Sequence, residues 1–475
     1  MKYEAIIGLE LHVALKTKTK MFSRSAVTFD EIPNTHVTAT DLGYSGSFPR
    51  INKKAVQNAI MLAHALNMEI DNELHFDRKN YFYSDLPKGY QITQDRRPIG
   101  KNGHLTITTN DSSQVINIER IHLEEDTAKQ IHLDDETLVD FNRAGVPLIE
   151  IVTKPDLRSG EEASEFIEMI REIVTYLDIS DGKMEEGSLR CDVNISLRPV
   201  GTKEFGVKVE IKNLNSISNV ARVIDYEIIR QTELLNSNET IVEETRRYDD
   251  DLRKSVSMRL KGEDADYKYF PEGNIVPIKL SDKFIAETIK EMAELPTVKR
   301  TRYLDEFKLT PHDIKLLVGN KELALYYDEL TKLTKHYKLA AHWVNGEISA
   351  YLNKTGISIN EMALKITNVA KLLELIASDK ISNNQARELF NVIVVTNEDP
   401  EQKAQELNLL QVSDEAFILE VINEVLTENK EAIYDIKNGK DRAFGFLVGQ
   451  VMKRTKGKVN PALASKLMRE EINKH

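Results

Sequence analysis

A single cysteine, Cys191, is all the thiol that 475 residues carry, so no disulfide framework can staple this chain, and the count fits a reducing compartment. There is also no apolar run long enough to cross a bilayer, and Met1-Lys2-Tyr3-Glu4 does not open a basic-then-apolar leader. The expectation is a cytoplasmic protein without membrane association. Three signatures of nucleotide or nucleophile chemistry are missing as well: the G-x-x-x-x-G-K-S/T phosphate loop, the G-x-G-x-x-G dinucleotide fingerprint and the G-x-S-x-G elbow. Any nucleotide chemistry must therefore rest on carboxylates, lysines and Mg²⁺, which together spread the charge of a transferring phosphoryl group. Low-complexity tracts and internal repeats are absent.

The chain has enough apolar residues for several cores. At 41% hydrophobic content and this length, two to four domains are expected. Strand patterns and turns dominate up to about residue 293, with helices over Glu161 to Leu177 and Ser216 to Leu235; beyond Pro296 almost everything has helical spacing. The tail repeats that grammar from a Ser413 cap, through a turn at Asn438-Gly439 and a helix over Phe444 to Met452, to Asn460-Pro461 and a last helix. The fold class is α+β, with an antiparallel-sheet domain over 1–293, an all-helical domain over 294–408 and a small helical tail domain over 409–475. Net charge is −12, but from Lys430 to His475 eleven Lys and Arg face five Asp and Glu. A basic end on an acidic body marks the tail as the part that meets a polyanion. Gly445 and Gly449, four apart on one helix face, would admit a close neighbour, either an RNA backbone or, as the safer reading, a packed helix.

The most ordered pattern is Glu185 to Ile195, continuing to Arg198. Leu189, Cys191, Val193, Ile195 and Leu197 alternate with Arg190, Asp192, Asn194, Ser196 and Arg198, so a strand would bury the first set and show the second. After Pro199-Val200-Gly201, the residues Val207, Val209 and Ile211 alternate with Lys208, Glu210 and Lys212, which predicts the antiparallel partner. A merely solvated hairpin face is usually filled with interchangeable Lys, Glu and Thr. Here Asn194, Asn213, Asn215 and Ser216 join it at the entry to a Ser/Asn-capped helix, whose free backbone N–H groups suit an anion.

Acids recur on other strand patterns. Tyr3 to Leu15 puts Tyr3, Ala5, Ile7, Leu9, Leu11, Val13 and Leu15 on one side and Glu10 and His12 on the other, roughly 7 Å apart at their bases. That spacing lets both side chains converge on one cation, although Glu-x-His on a strand taken alone reads first as a hydrogen-bonded surface pair. His122-Leu123-Glu124-Glu125-Asp126 follows an apolar strand over Val115 to Ile118, and Glu150 interrupts the core-like Leu148 to Val152. Acids so crowded are either solvated or neutralised by cations. Aromatics interleave with Lys79 and Lys88 across Asp77 to Gln91, and again across Asp266 to Glu272, a pattern suited to anionic or nucleotide ligands.

Taken together, the runs Gly8 to His12, Asp77 to Tyr81, His122 to Asp126, Met184 to Asn194, Lys208 to Asn213, Tyr267 to Glu272 and Phe446 to Lys453 resemble the GatB/GatE family of tRNA-dependent amidotransferases. The resemblance spans essentially the whole chain. It implies a cradle domain, a helical domain and a YqeY-like tail that contacts tRNA. It also implies work with a GatA amidase and a small GatC subunit, in the GatCAB complex. In such complexes GatA releases ammonia from glutamine. The GatB member uses ATP to phosphorylate the side-chain carboxylate of Glu mischarged on tRNA(Gln), or Asp on tRNA(Asn), and ammonia displaces the phosphate. The expected class is a carbon–nitrogen ligase with glutamine as nitrogen donor.

From the resemblance, Glu10, His12, Glu125 and Glu150 are expected to bind Mg²⁺. Lys79, Lys88, Glu125, Arg190 and Asp192 are expected to handle phosphate and ammonia. Tyr81, Tyr83, Tyr90, Asn194, Lys208, Glu210, Asn213 and Asn215 are expected to line the substrate site, and Lys453, Arg454, Lys456 and Lys458 to meet tRNA. ATP and Mg²⁺ are the implied cofactors. Many family members carry paired cysteines where this chain has Ser23, Ser25, Thr38 and Asp41, so no structural zinc is expected. A second departure, Glu272-Gly273-Asn274 in place of Glu-Pro-Asp, leaves the loop shape there open. The competing expectation is a noncatalytic tRNA-binding scaffold that only positions substrate for the amidase.

Overall fold

The computed structural model describes residues 2–28, 31–109, 112–260, 267–411, 415–437, 441–455 and 459–474. The chain divides into two units, residues 1–296 and 297–475.

In the first unit, strict alternation yields long strands, and the longest build one sheet. In chain order the strands that position the site are β1 (Tyr3–Ala14), β2 (Asp77–Asn80), β3 (Tyr90–Thr93), β4 (Gly100–Thr109), β5 (Ser112–Glu125) and β6 (Pro147–Thr153). They continue with β7 (Leu189–Pro199), β8 (Val209–Leu214), β9 (Glu244–Asp249), β10 (Lys254–Leu260) and β11 (Lys268–Pro271). The main sheet runs β10-β9-β8-β7-β1-β6-β5-β4, with the two-residue strand Glu69–Ile70 at its far edge. Only the β8–β9 pair is parallel among these neighbours. A separate three-stranded sheet has the order β11-β2-β3.

Helices α1 (Lys53–Ala65), α2 (Gly160–Tyr176) and α3 (Ile217–Asn236) share one hydrophobic core with the inward residues of the main sheet. Leu9, Leu11, Val13, Leu189, Cys191, Val193 and Ile195 are all buried there, as their alternation predicts. Ser159 and Ser216 cap α2 and α3, each hydroxyl accepting from the backbone N–H three residues on. The opposite face of the sheet is polar.

The structure alters two sequence-based expectations in this unit. The strand expected over Val115 to Ile118 runs on through Glu125, so His122 to Glu125 are strand residues and only Asp126 of the acidic run follows it. Val207 and Lys208 precede β8 and are exposed.

The second unit is helical, and one five-residue π-helical turn, Val344–Ile348, interrupts it. Its last helices, Glu415–Glu428, Asp441–Arg454 and Pro461–Lys474, bury Ile418, Ile422, Val425, Leu447, Val451, Leu467 and Met468 in a core of their own. The Ser413 cap and the Asn438-Gly439 turn lie outside the described residues. Among the described residues nothing packs on Gly445 or Gly449, since a Cβ at either would meet no atom within 4 Å. The expectation of a close helix neighbour there is therefore corrected: both glycines face open space.

Candidate active site on the polar face of the sheet

Strand register sets out the site in rows. His122 on β5 lies opposite Glu150 on β6, Glu150 opposite His12 on β1, and His12 opposite Arg190 on β7. Side chains of one such row share a face, with neighbouring strands roughly 4.8 Å apart. The next row on β1 and β7 pairs Glu10 with Asp192, and Asn194 then lies opposite Glu210 on β8.

Two groups of ligand atoms result. His12, Glu124 and Glu150 can each point one atom into a space where all three lie within 4.8 Å of one another, and so can Glu10, Asp192 and Glu210. Carboxylate oxygens with at most one imidazole form a hard-donor set that fits Mg²⁺ or Mn²⁺. In the first group the His12 Nε2 is 3.5 Å from Glu150 and 3.7 Å from Glu124, and the His122 Nε2 is 3.1 Å from Glu150 and 3.8 Å from Glu124. Burial works against charge on His122, but the Glu150 and Glu124 carboxylates overcome it and lift its pKa to about 9. Glu150 moves the other way: burial would raise it, yet His122 and His12 hold it well below the usual carboxylate range. The His122 Nδ1 is buried without a hydrogen-bond partner.

The second group contains its own cation. The Lys212 Nζ lies 3.0 Å from Asp192 and 3.1 Å from Glu210, while the Asn194 amide donates to Glu10 at 2.9 Å. Burial foremost, then the Glu150 and Asp192 carboxylates, raises the Glu10 pKa. Beside this group a cavity of about 250 Å³ is lined by Gly8, Glu10, Thr153, Pro155, Asn194, Phe205, Gly206 and Lys208, among others. Gly206, in the segment before β8, lies close against β7: a Cβ there would fall 2.0 Å from the Leu197 carbonyl oxygen.

Several residues expected in one place are in two. Glu125 was expected with Glu10, His12 and Glu150, but its chain neighbour Glu124 is the residue that joins His12 and Glu150. Adjacent strand residues face opposite ways, so Glu125 turns from the polar face. Lys88 donates to both Glu125 carboxylate oxygens, at 2.5 and 2.6 Å, and the Ile92 N–H donates to the same carboxylate at 3.0 Å. Both partners of that ion pair are more than nine-tenths buried. Glu10 belongs to the second group rather than the first. Arg190 keeps its place in the row but is paired with Asp126 at 3.0 Å.

Lys79 sits on β2 with its Nζ 4.7 Å from the Tyr267 ring and 5.9 Å from the Tyr81 ring. Burial pulls its pKa down, but Glu124, Tyr269 and Glu150 outweigh that and the net shift is upward. Tyr90 is stacked by Arg78 at 4.1 Å and faces Lys88 at 5.7 Å, whereas Tyr83 is more than half exposed. Glu272 resolves the open loop shape: it takes a two-pronged hydrogen bond from Arg78, at 2.6 and 3.0 Å, and accepts from the Asn274 N–H. Asn213, at φ 62°, and Asn215 are exposed beyond the row.

In the tail Lys453 is exposed, while the expected tRNA contact Arg454 is engaged by Glu424, at 2.9 Å, and by Glu428. Its side chain stays 35% exposed in these surface ion pairs, formed with two acids one turn apart on the helix Glu415–Glu428. Lys456 and Lys458 lie outside the described residues. Among Ser23, Ser25, Thr38 and Asp41, the Ser25 N–H donates to the Ser23 hydroxyl, and Thr38 donates to Asp41 through both its N–H and its hydroxyl.

A family model described as the GatB/GatE catalytic domain matches residues 5–286, over the sheet and both ligand groups, and one described as a GatB domain matches residues 325–472. The chain belongs to the GatB/GatE family. It is 46% identical over 474 residues to the B subunit of the aspartyl/glutamyl-tRNA(Asn/Gln) amidotransferase of Bacillus mycoides (strain KBAB4). It is 47% identical over 479 residues to the protein of that name from Caldicellulosiruptor bescii, and 45% identical over 474 residues to that of Lysinibacillus sphaericus (strain C3-41). Each match covers the whole of both chains. Glu124, His122 and Lys212 are the site residues that sequence reasoning left out. Alternation along their own strands carries the signal: His122 and Glu124 stand two apart on β5, as Glu210 and Lys212 do on β8.

Proposed function

We propose that this chain is the subunit of a glutamine- and ATP-dependent amidotransferase that activates the side-chain carboxylate of Glu or Asp mischarged on tRNA. The observation that carries the reading is the pairing of two ligand groups, three residues each, on one sheet face, beside a cavity of about 250 Å³ and among Lys79, Arg190 and Lys212. A scaffold has no need of so much opposed charge on strand faces.

His12, Glu124 and Glu150 would hold one Mg²⁺, and Glu10, Asp192 and Glu210 a second. When bound, these ions neutralise phosphate oxygens and align them for in-line transfer. Gly8, Thr153, Pro155, Phe205 and Lys208 would take the base and ribose of ATP in the cavity. Lys212, now held between two carboxylates, and Lys79, lodged among tyrosines, are the cations available to the developing phosphate charge. A substrate carboxylate oxygen then bonds to the γ-phosphorus as the bond to ADP breaks. Ammonia next attacks the acyl carbon, loses a proton and expels phosphate, leaving the amide.

Lys88 and Glu125, buried as a pair away from the ATP side, are proposed to close the passage by which ammonia arrives. The GatA amidase and GatC subunit named for the family are the proposed partners, Glu-tRNA(Gln) and Asp-tRNA(Asn) the proposed substrates, and the cytoplasm the proposed location. Tyr81, Tyr83 and Tyr90 would face the aminoacyl end. No structural zinc is proposed, since the relevant positions offer hydroxyls and a single carboxylate. The test is reconstitution with GatA and GatC subunits on each mischarged tRNA. Amide formation should require ATP and vanish in Glu124→Gln while tRNA binding persists; full activity in that variant would favour the scaffold reading.

A further inference from the structure

Lys20 is a fully buried lysine outside both ligand groups. Its Nζ donates to the Phe141 carbonyl at 3.2 Å and lies 3.8 Å from Asp41, which is itself 5% exposed. Burying an ammonium is costly unless a counter-charge offsets it, and truncating one member leaves the other uncompensated. A buried pair kept at such expense calls for something that it holds in place.

Its neighbours on both sides lead to Lys88 and Glu125. Asp41 accepts from the Thr38 N–H and hydroxyl and so locks the turn over residues 38–44. Within that turn Gly43 has φ +68°, and a Cβ there would stand 2.9 Å from the Lys88 Cγ, so the lysine stem rests directly on the glycine. On the other side the Gly145 Cα packs over the pair: a Cβ would come 3.2 Å from both Asp41 Oδ1 and Lys20 Cδ. The Gly145 N–H donates to the carbonyl of Asp126, the residue after Glu125. Asp41, Lys88, Glu125 and Gly145 line one small cavity.

We infer that Lys20 and Asp41 are positioning residues that clamp the Gly43 turn and the Gly145 loop together and thereby fix the Lys88–Glu125 pair at the closure of the ammonia passage. The inference rests on the proposed role of Lys88 and Glu125. Without the clamp the stem of Lys88 loses its floor, and ammonia generated by the amidase leaks to solvent instead of reaching the acyl carbon. Externally added ammonium bypasses that fault.

The measurement is the ratio of glutamine-supported to ammonium-chloride-supported amide formation in the complete reconstituted complex. Lys20→Met and the milder Asp41→Asn, which keeps an acceptor for Thr38, should each lower the ratio, by up to the roughly 100-fold that misplacing a group by about 1 Å can cost. Glutamine hydrolysis should continue, and ammonium-supported activity per folded complex should hold. Equal losses with both nitrogen sources would reduce the pair to a structural role and overturn the inference. Lys88→Met is the reference: if it lowers the ratio and the clamp variants do not, the inference alone fails, and if it leaves the ratio intact, the passage reading falls and the clamp with it.

Discussion

Glu124 and Glu125 are adjacent in the chain, and their side chains serve different sites. Strand alternation is enough to separate them: Glu124 shares a space with His12 and Glu150, and Glu125 pairs with Lys88. Glu124→Gln should weaken Mn²⁺ binding by at least the roughly 10- to 100-fold that loss of an outer-sphere partner costs, whereas Glu125→Gln should leave it within a few-fold. Titration of the purified chain by isothermal calorimetry reads the difference, and equal losses would mean that the two carboxylates share one ion. Part of this is legible in the sequence. Glu10, His12 and Glu150 stand out as acids and imidazole on polar strand faces, and Cys191 as a packed thiol, which the structure buries with its pKa pushed well up by burial first and Asp192 second. The expectation of Glu125 in place of Glu124 comes with the family resemblance and not from strand period. Once β5 is known to continue to Glu125, the period of two selects Glu124 and His122.

Elements with strong local period are the legible ones. β1 and β7 follow from alternation over eleven or twelve residues, and α2 and α3 from helical spacing behind a serine cap. The short strands β2, β3 and β11 are not legible, because β11 and β2 find each other across most of the unit. Asn80 donates to the carbonyl of Lys268, 188 residues away, and no local pattern encodes that pairing. A buried charge network welds α3 to β9 and β10 in the same non-local way. Glu227, fully buried, accepts from Arg230 at 2.8 and 3.0 Å, from Gln231 at 2.9 Å and from Ser255, with Arg246 3.3 Å away. Burial raises its pKa, but Arg230 and Ser255 outweigh that and the carboxyl titrates below its ordinary 4.5. The stability it adds is therefore complete above that value and drains away as pH falls through the depressed pKa. Glu227→Gln leaves Arg230 and Arg246 with Glu244 as their remaining acid and should cost roughly 1–3 kcal/mol, measured by urea denaturation at neutral pH, with a smaller deficit in acid. A deficit independent of pH would assign the loss to packing alone.

The whole molecule, of net charge −12, combines an acidic body with a basic end, and the last helices bury a core of their own. Charge asymmetry of this kind is visible in composition; the engagement of Arg454 by Glu424 and Glu428 is not, because it depends on which helices face each other. Removing the residues after about 410 should weaken tRNA binding and flatten its salt dependence, since each lost phosphate contact removes about one unit of slope. ATP turnover in the reconstituted complex at saturating tRNA should survive the deletion. An unchanged salt slope would take the tail out of tRNA recognition. The central claim, that the polar face activates a carboxylate by phosphorylation, is tested most directly with mischarged tRNA whose Glu or Asp side-chain carboxylate carries ¹⁸O. Mass spectrometry of the phosphate released during amide formation should find one ¹⁸O transferred per turnover, and none from a Glu124→Gln complex. Amide formed with unlabelled phosphate would contradict the account.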